Sequence, residues 1–111
     1  MADGTQLRSL ADTMSERDLL HNVKQLALLT KWLVYHTYDS RRSDPGFPDL
    51  VLVKDRIIFV ELKTAKGRLR PQQKIWLAAL EDTGAEVYVW RPIDWTNGTI
   101  RKVLCHEKEK D

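Results

Sequence analysis

Two carboxylates and a lysine near the middle of the chain are the residues best suited to chemistry. Asp49 directly precedes the apolar run 50–53, and Glu61 and Lys63 lie at the end of the next apolar run, 57–62. Carboxylate oxygens are ligands that Mg²⁺ prefers, and a lysine ammonium group binds phosphate oxygens. These residue types together predict a site that hydrolyses phosphodiester bonds with a divalent cation.

The spacing of the two runs decides whether these groups can meet. Runs 50–53 and 57–62 are rich in β-branched residues and are separated by the polar residues 54–56, which predicts a β-hairpin. If Val53 pairs with Ile57, counting back places Asp49 opposite Glu61. Side chains alternate along a strand, so Lys63 shares the face of Glu61. A loop with an even number of residues would turn Asp49 to the opposite face.

Opposed carboxylates need compensation. Directly opposed residues have Cβ atoms about 4.5 to 5.5 Å apart, where like charges repel each other. A divalent cation would remove that repulsion, lower the pKa of a water molecule and neutralise charge on a phosphate.

Both faces of the hairpin are apolar, which predicts that both are covered. The alternative is an ordinary hairpin with charged, solvated ends.

Two predicted helices carry further polar candidates. Ser15 and Asp18 form a pair typical of a helix start, and Glu16 lies three and four residues before Leu19 and Leu20, on the apolar stripe of a helix over 16–31. Its carboxylate is therefore expected near the site, although a first-turn acid that merely complements the helix dipole has the same pattern.

Pro71 and Gly84 bound a second predicted helix, 71–83. Gln73 precedes Trp76, Leu77 and Leu80 at helical spacing, which places it on the buried stripe, and a buried amide must be hydrogen-bonded. It would support a catalytic lysine or a phosphate, or else be a satisfied core glutamine.

The order of these elements resembles a known family. The chain resembles the VRR-NUC domain, a branch of the PD-(D/E)XK nuclease superfamily. The resemblance rests on four features in order: Glu16, Gly-Phe-Pro-Asp at 46–49, Glu-Leu-Lys at 61–63, and Gln73 followed by Trp76. The resemblance runs from about residue 15 to residue 104. It implies an α/β, restriction-endonuclease-like core in which helices flank a mixed β-sheet, in the order α-β-β-β-α-β.

The resemblance also implies roles for individual residues. Asp49 and Glu61 would bind Mg²⁺ or Mn²⁺ together with the backbone carbonyl of Leu62, and Glu16 would be a further acidic, metal-binding residue of the site. Lys63 would be the catalytic lysine and Gln73 a supporting polar residue.

Size and composition fit one small enzyme domain. The chain has 111 residues, 42% of them hydrophobic, which is enough for a single core. No apolar stretch is long enough to span a bilayer and no signal-peptide core is present, so we expect a cytoplasmic protein. Cys105 is the only cysteine, which excludes an intramolecular disulfide.

Basic residues flank the candidate site. The net charge is only +2, but its distribution is informative. Two loops next to the proposed site carry the positive charge, and they either bind DNA phosphates or are simply solvated. These residues are Arg41, Arg42, Lys66, Arg68 and Arg70.

The remaining segments complete the prediction. Residues 1–14 are expected to form a loose arm or short extra turn, 15–104 the nuclease-like domain, and 105–111 a charged tail. Strands are predicted at 33–38 and 86–90, the latter parallel to its neighbour after a right-handed crossover. Residues 94–104 allow either a short helix or a hairpin turned at Asn97-Gly98.

The sequence therefore predicts a metal-dependent endonuclease acting on branched DNA, most like a Holliday junction resolvase. A homodimer would suit symmetric cutting, with Trp32, Trp90 and Trp95 as interface candidates if exposed. Alternatives are a flap or end-processing repair nuclease, a non-catalytic DNA-binding module with the same fold, and a glycosidase that uses the carboxylate pair.

Overall fold

The computed structural model describes residues 11–38 and 42–106. Within these ranges one four-stranded sheet, in the order β1-β2-β3-β4, is flanked by helices. Arg41 lies outside the described residues. In chain order the elements are α1 (Glu16–Leu29), β1 (Leu33–His36), β2 (Leu50–Val53), β3 (Ile57–Leu62), α2 (Pro71–Asp82), β4 (Glu86–Trp90), α3 (Pro92–Thr96) and α4 (Thr99–Cys105).

Helix α1 begins and ends through local hydrogen bonds. The Asp18 N–H donates to Ser15 Oγ at 3.0 Å, which satisfies one of the free amides of the first turn. Leu19, Val23 and Ala27 are buried at helical spacing, so this face packs on the sheet. The helix ends where Lys31 adopts φ +76°, a conformation that glycine usually supplies.

The predicted hairpin is confirmed in its register. Strand β2 pairs antiparallel with β3 so that Val53 lies opposite Ile57 and Leu50 opposite Val60. Residues 54–56 form the turn. Strand β1 pairs antiparallel with the other side of β2, and β4 pairs parallel with β3. The two hairpin strands, β2 and β3, are therefore the inner strands of the sheet.

The two faces of the sheet differ in burial: the prediction that both are covered is confirmed for one face and holds only in part for the other, where Phe47 packs edge-on against Phe59. Leu50, Leu52, Ile58, Val60 and Leu62 are at most 1% exposed, because α1 and α4 pack with them in the core. On the opposite side the pleat presents six apolar side chains of β1, β2 and β3, which we call the open face. None of the six is fully buried: Leu33, Tyr35, Val51, Val53, Ile57 and Phe59.

The C-terminal part is helical, which resolves the choice between helix and hairpin for residues 94–104. Gly98, at φ +85°, separates α3 from α4, so the Asn-Gly pair joins two helices and not two strands. Trp32 Nε1 donates to the Leu104 carbonyl at 2.9 Å and ties α4 to the start of β1.

Residues 11–13 are also helical, with Ala11 buried. No helix in the described part of the chain is long and apolar enough to span a membrane.

Candidate active site

The hairpin places Asp49 beside Glu61 as the register predicted. Asp49 comes one position before Leu50, which pairs with Val60, so its counterpart on β3 is Glu61. Its Oδ2 accepts a hydrogen bond from the Leu62 N–H at 2.8 Å. The side chain of Asp49 is thereby tied to the main chain of β3 at the position where the ladder ends.

Glu61 is an acidic residue in the interior of the protein. It is 2% exposed, and its Oε2 accepts from Gln73 Nε2 at 2.5 Å. Lys63 Nζ lies 3.7 Å from the same oxygen. The other oxygen, Oε1, is buried and has no hydrogen-bond partner among the described residues. A buried carboxylate oxygen without a donor is costly, and a bound cation would supply the missing partner.

Burial and the closeness of the acidic side chains raise the pKa values of two glutamates in the site. Burial, and then the neighbouring charge of Asp49, raise the pKa of Glu61 to about 8. Glu16 is exposed as a whole residue, but its side chain lines the cleft beside Asp49. Partial burial there, followed by the charge of Asp49, raises the pKa of Glu16 as well. In the absence of a cation, the raised pKa values of Glu16 and Glu61 shift these two acids toward their neutral forms.

Gln73 is held in place from two directions. Its Oε1 accepts from the Arg70 N–H at 2.8 Å at the start of α2, while its Nε2 donates to Glu61. The amide therefore connects the first turn of this helix to the carboxylate on β3. The rest of the predicted buried stripe is only partly buried, since Leu77 is 7% exposed but Trp76 is 36% exposed.

The polar groups open into one cleft of about 480 Å³. Glu16, Asp49, Lys63, Gln73 and Arg70 line it. Glu61 is buried and does not line the cleft itself, but it contacts Gln73 and Lys63, which do. Tyr38, 81% exposed, also lines the cleft. The space is polar and open to solvent, as a site for a large charged substrate must be.

The predicted phosphate-binding residues are distributed unevenly around this cleft. Arg70 is exposed and lines it. Arg42, Lys66 and Arg68 are exposed in the two flanking loops without lining the cleft. Of the five basic residues, Arg70 is therefore the one that the described structure places directly at the carboxylates.

The donor set suits a hard cation bound by few protein groups. In the described part of the chain no group of three or more His, Cys, Asp and Glu side chains is close enough to hold a metal ion alone. Asp49 and the unpartnered oxygen of Glu61 are neighbouring oxygen donors at the end of the hairpin. Mg²⁺ and Mn²⁺ are bound in this way, with water and phosphate oxygens completing the shell.

Sequence reasoning missed two residues that position the site. Thr37 donates from its N–H to the Asp49 carbonyl at 2.8 Å and from Oγ1 to the Pro48 carbonyl at 2.6 Å. Arg91 Nη1 donates to the Thr64 and Gly67 carbonyls, both at 2.7 Å, and fixes the loop after Lys63. Their partners are 11, 27 and 24 residues away, so no local pattern could have indicated them.

The comparison with protein families agrees with this geometry. The model of the VRR-NUC domain matches residues 5–92, which include every residue of the candidate site. The chain belongs to the VRR-NUC family. Its fold is therefore of the PD-(D/E)XK type, and its function is of the nuclease type, with DNA as the bound polymer.

A solved structure supports the fold independently. A chain described as a VRR_NUC domain protein superposes with a TM-score of 0.61 at 18% sequence identity, covering 82% of this chain and 90% of that one. At this identity the likeness concerns the fold alone. No protein with a curated description matches the chain.

Proposed function

We propose that this VRR-NUC protein is a metal-dependent endonuclease that hydrolyses phosphodiester bonds in branched DNA, in the manner of a Holliday junction resolvase. The observation that carries the proposal is the buried Glu61 carboxylate, with one oxygen unpartnered, Asp49 beside it and the Lys63 ammonium group 3.7 Å away. An ordinary charged hairpin would leave these groups solvated. A glycosidase would need no lysine at this place.

The cation would be Mg²⁺ or Mn²⁺, held by Asp49, Glu61, the Leu62 carbonyl and, from the other side of the cleft, Glu16. When bound it supplies a nucleophile at neutral pH and neutralises charge that develops on the phosphate. Asp49 contributes a side chain already fixed by the Leu62 N–H, so it needs little reorganisation to bind.

The chain's own residues would orient the substrate around that centre. Lys63 is nearly buried and shares the face of Glu61, so its ammonium group would hold a non-bridging phosphate oxygen and orient the attacking water molecule. Gln73 keeps the Glu61 carboxylate turned toward Asp49. Arg70, at the rim of the cleft, would bind the adjacent phosphate, with Arg41, Arg42, Lys66 and Arg68 along the flanking DNA.

Branched DNA is the substrate that this small surface fits best. The described part of the chain presents one cleft with the site residues and exposed basic side chains in two flanking loops, which suits recognition of the sugar-phosphate backbone and shape. A four-way junction has two equivalent strands, so a homodimer would place one site at each. We place its action in the cytoplasm, at the nucleoid, where such DNA occurs.

A flap or end-processing nuclease is the second candidate, and Tyr38 is the observation that favours it. Its ring is 81% exposed and lines the cleft. An aromatic side chain in that position can stack on a base of an unpaired strand. The two candidates differ in whether cuts come in symmetric pairs or singly.

The test compares cleavage of an end-labelled four-way junction, a 5′ or 3′ flap and a linear duplex, with Mg²⁺ or with a chelator. Lys63→Ala is the site variant, and Lys74→Ala, which removes an exposed lysine of α2, is the matched control. Symmetric paired nicks that require the metal and Lys63 would establish the resolvase. Binding without cleavage under any divalent cation would instead identify a non-catalytic DNA-binding module.

A further inference from the structure

A second cavity lies beside the carboxylates of the active site, between the first turns of α1 and the ends of β1 and β3. We call it the α1 pocket, and its volume is about 210 Å³. Among the described residues only Glu16 and Asp49 line both this pocket and the larger cleft, so their side chains lie between the two spaces. The residues that line the pocket are Glu16, Arg17, Leu20, His36, Asp49 and Leu62.

The register of the sheet explains why His36 faces this pocket. His36 is the last residue of β1 and lies opposite Leu50, whose side chain is buried in the core together with α1. Opposed residues direct their side chains to the same side of a sheet, so His36 points toward α1. Arg17 and Leu20 lie one helical turn apart at the start of α1, which packs against β1.

The side chains of Arg17 and His36 are not used by the fold. Among the described residues they form neither an ion pair nor a hydrogen bond. A guanidinium group binds phosphate oxygens through paired N–H donors, and an imidazole offers at least one N–H donor. Leu20 adds an apolar wall beside them. The pocket therefore combines donors for a phosphate with a surface for the carbon atoms of a sugar.

The covalent continuity of DNA indicates what occupies this space. A strand whose scissile phosphate lies at Asp49 carries a further nucleotide on each side of that phosphate. The larger cleft, with Arg70, receives one of them, and the α1 pocket is the space beside Asp49 that receives the other. Its 210 Å³ is below the about 300 to 1,000 Å³ of pockets for drug-sized ligands, so it suits a sugar with its phosphate and leaves the base outside.

We propose that the α1 pocket binds the sugar-phosphate unit next to the scissile phosphate, with Arg17 and His36 donating to its phosphate oxygens and Leu20 packing against its deoxyribose. The inference rests on the proposed nuclease function, which puts the scissile phosphate at Asp49. It adds two substrate-binding residues that lie outside the two basic loops. A strand held on both sides of the cut has little freedom to turn, which orients the scissile bond for attack.

The experiment first maps the cut that the wild-type chain makes in end-labelled DNA. One phosphate at a time, on either side of that cut, is then replaced by an uncharged methylphosphonate. Single-turnover cleavage with Mg²⁺ is measured for the wild type, Arg17→Gln, His36→Gln and the double variant. His21→Gln and Arg101→Gln change exposed residues of α1 and α4 and are the matched controls. Circular dichroism establishes that each variant is folded.

The neutral linkage is expected to slow the wild type about 10-fold at one of the two positions, since it removes the charge that the donors of the pocket bind. On ordinary DNA the double variant should cut at least about 10-fold more slowly than the wild type. At that same position the linkage should slow the double variant by less than about 2-fold, because the contact is already absent. Each single variant should respond to an intermediate degree, and both controls like the wild type.

A purely structural role of Arg17 and His36 predicts a different result. It would lower the cleavage rate but leave the response to the neutral linkage unchanged, so equal responses of the wild type and the double variant at both positions would overturn the inference while the nuclease stands. A wild-type chain that cuts none of the junction, flap or duplex substrates with Mg²⁺ or Mn²⁺ would overturn the nuclease proposal, and the inference with it.

Discussion

Gly46 and Gln72 are in main-chain contact, so that no side chain fits between them. A Cβ atom added to Gly46 would lie 2.6 Å from both the carbonyl carbon and the carbonyl oxygen of Gln72. Gly46 also has φ +97°, which disfavours any other residue. This contact joins the loop that leads to Asp49 to the helix that carries Gln73.

Gly46→Ala is therefore expected to lower the free energy of unfolding by roughly 2 to 4 kcal/mol, combining the backbone conformation with overpacking. Cleavage should fall as well, because the two halves of the site are pushed apart. Gly98→Ala is the control, since Gly98 has φ +85° but no atom within 4 Å of the added carbon. Equal losses for both variants in urea unfolding would show that the contact with Gln72 is unimportant.

Thr37 is expected to hold Asp49 in its binding position. Thr37→Val removes the hydroxyl donor to the Pro48 carbonyl and should cost about 1 kcal/mol, with a corresponding loss of Mn²⁺ affinity in calorimetry. Thr37→Ser keeps the hydroxyl and should retain most of that affinity. If valine and serine bind Mn²⁺ equally well, the hydrogen bond does not position the site.

Gln73 should matter for turnover more than for folding. Gln73→Leu leaves Glu61 Oε2 without its amide donor, and loss of such a supporting group commonly lowers activity 10- to 100-fold. Single-turnover cleavage measures this effect. Gln25→Leu replaces an exposed glutamine of α1 and is expected to cleave at the wild-type rate.

The metal-free protein should lose stability as pH rises. Burial raises the pKa of Glu61 from its ordinary 4.5 to about 8 in the fold, so folding favours the neutral acid. This contribution is complete below about pH 4.5 and is lost as pH rises through about 8. Urea unfolding in the presence of chelator should show the decline, and Glu61→Gln should flatten it across that window. A wild-type profile that rises over the same window would contradict the burial of this acid.

Lys31 is a site where the protein can be stabilised. Its φ of +76° costs a non-glycine residue roughly 1 to 2 kcal/mol, part of which glycine gives back through the entropy of the unfolded chain. Lys31→Gly should therefore raise the free energy of unfolding by about 0.5 to 1 kcal/mol in thermal unfolding. Lys24→Gly, inside α1, should lower it by a similar amount.

The sequence predicted the position of a site residue wherever the period of a strand or helix determines the direction of its side chain. The alternation of two runs and a three-residue loop determined that Asp49 meets Glu61, and the helical period placed Glu16 and Gln73 toward the same cleft. Residues whose partners are distant in the chain, such as Thr37 and Arg91, carry no such period.

The open face was beyond prediction for a related reason. Alternation shows that both sides of a strand are apolar, as at Val51 and Leu52, but it does not show how completely the second side is covered. The Asn97-Gly98 pair could not distinguish a hairpin from a boundary between two helices, because a glycine in the left-handed conformation suits both.

The hydrogen bond from the Leu62 N–H to Asp49 joins two segments of the site that are separate in the chain, and this bears on when the site forms during folding. The site draws on α1, on the segment before β2, on the end of β3 and on α2, so its members are brought together only by contacts between distant parts of the chain. Contacts of that kind form late in folding, after their loops have closed. We therefore expect the cleft to be complete only after both helices have docked on the sheet.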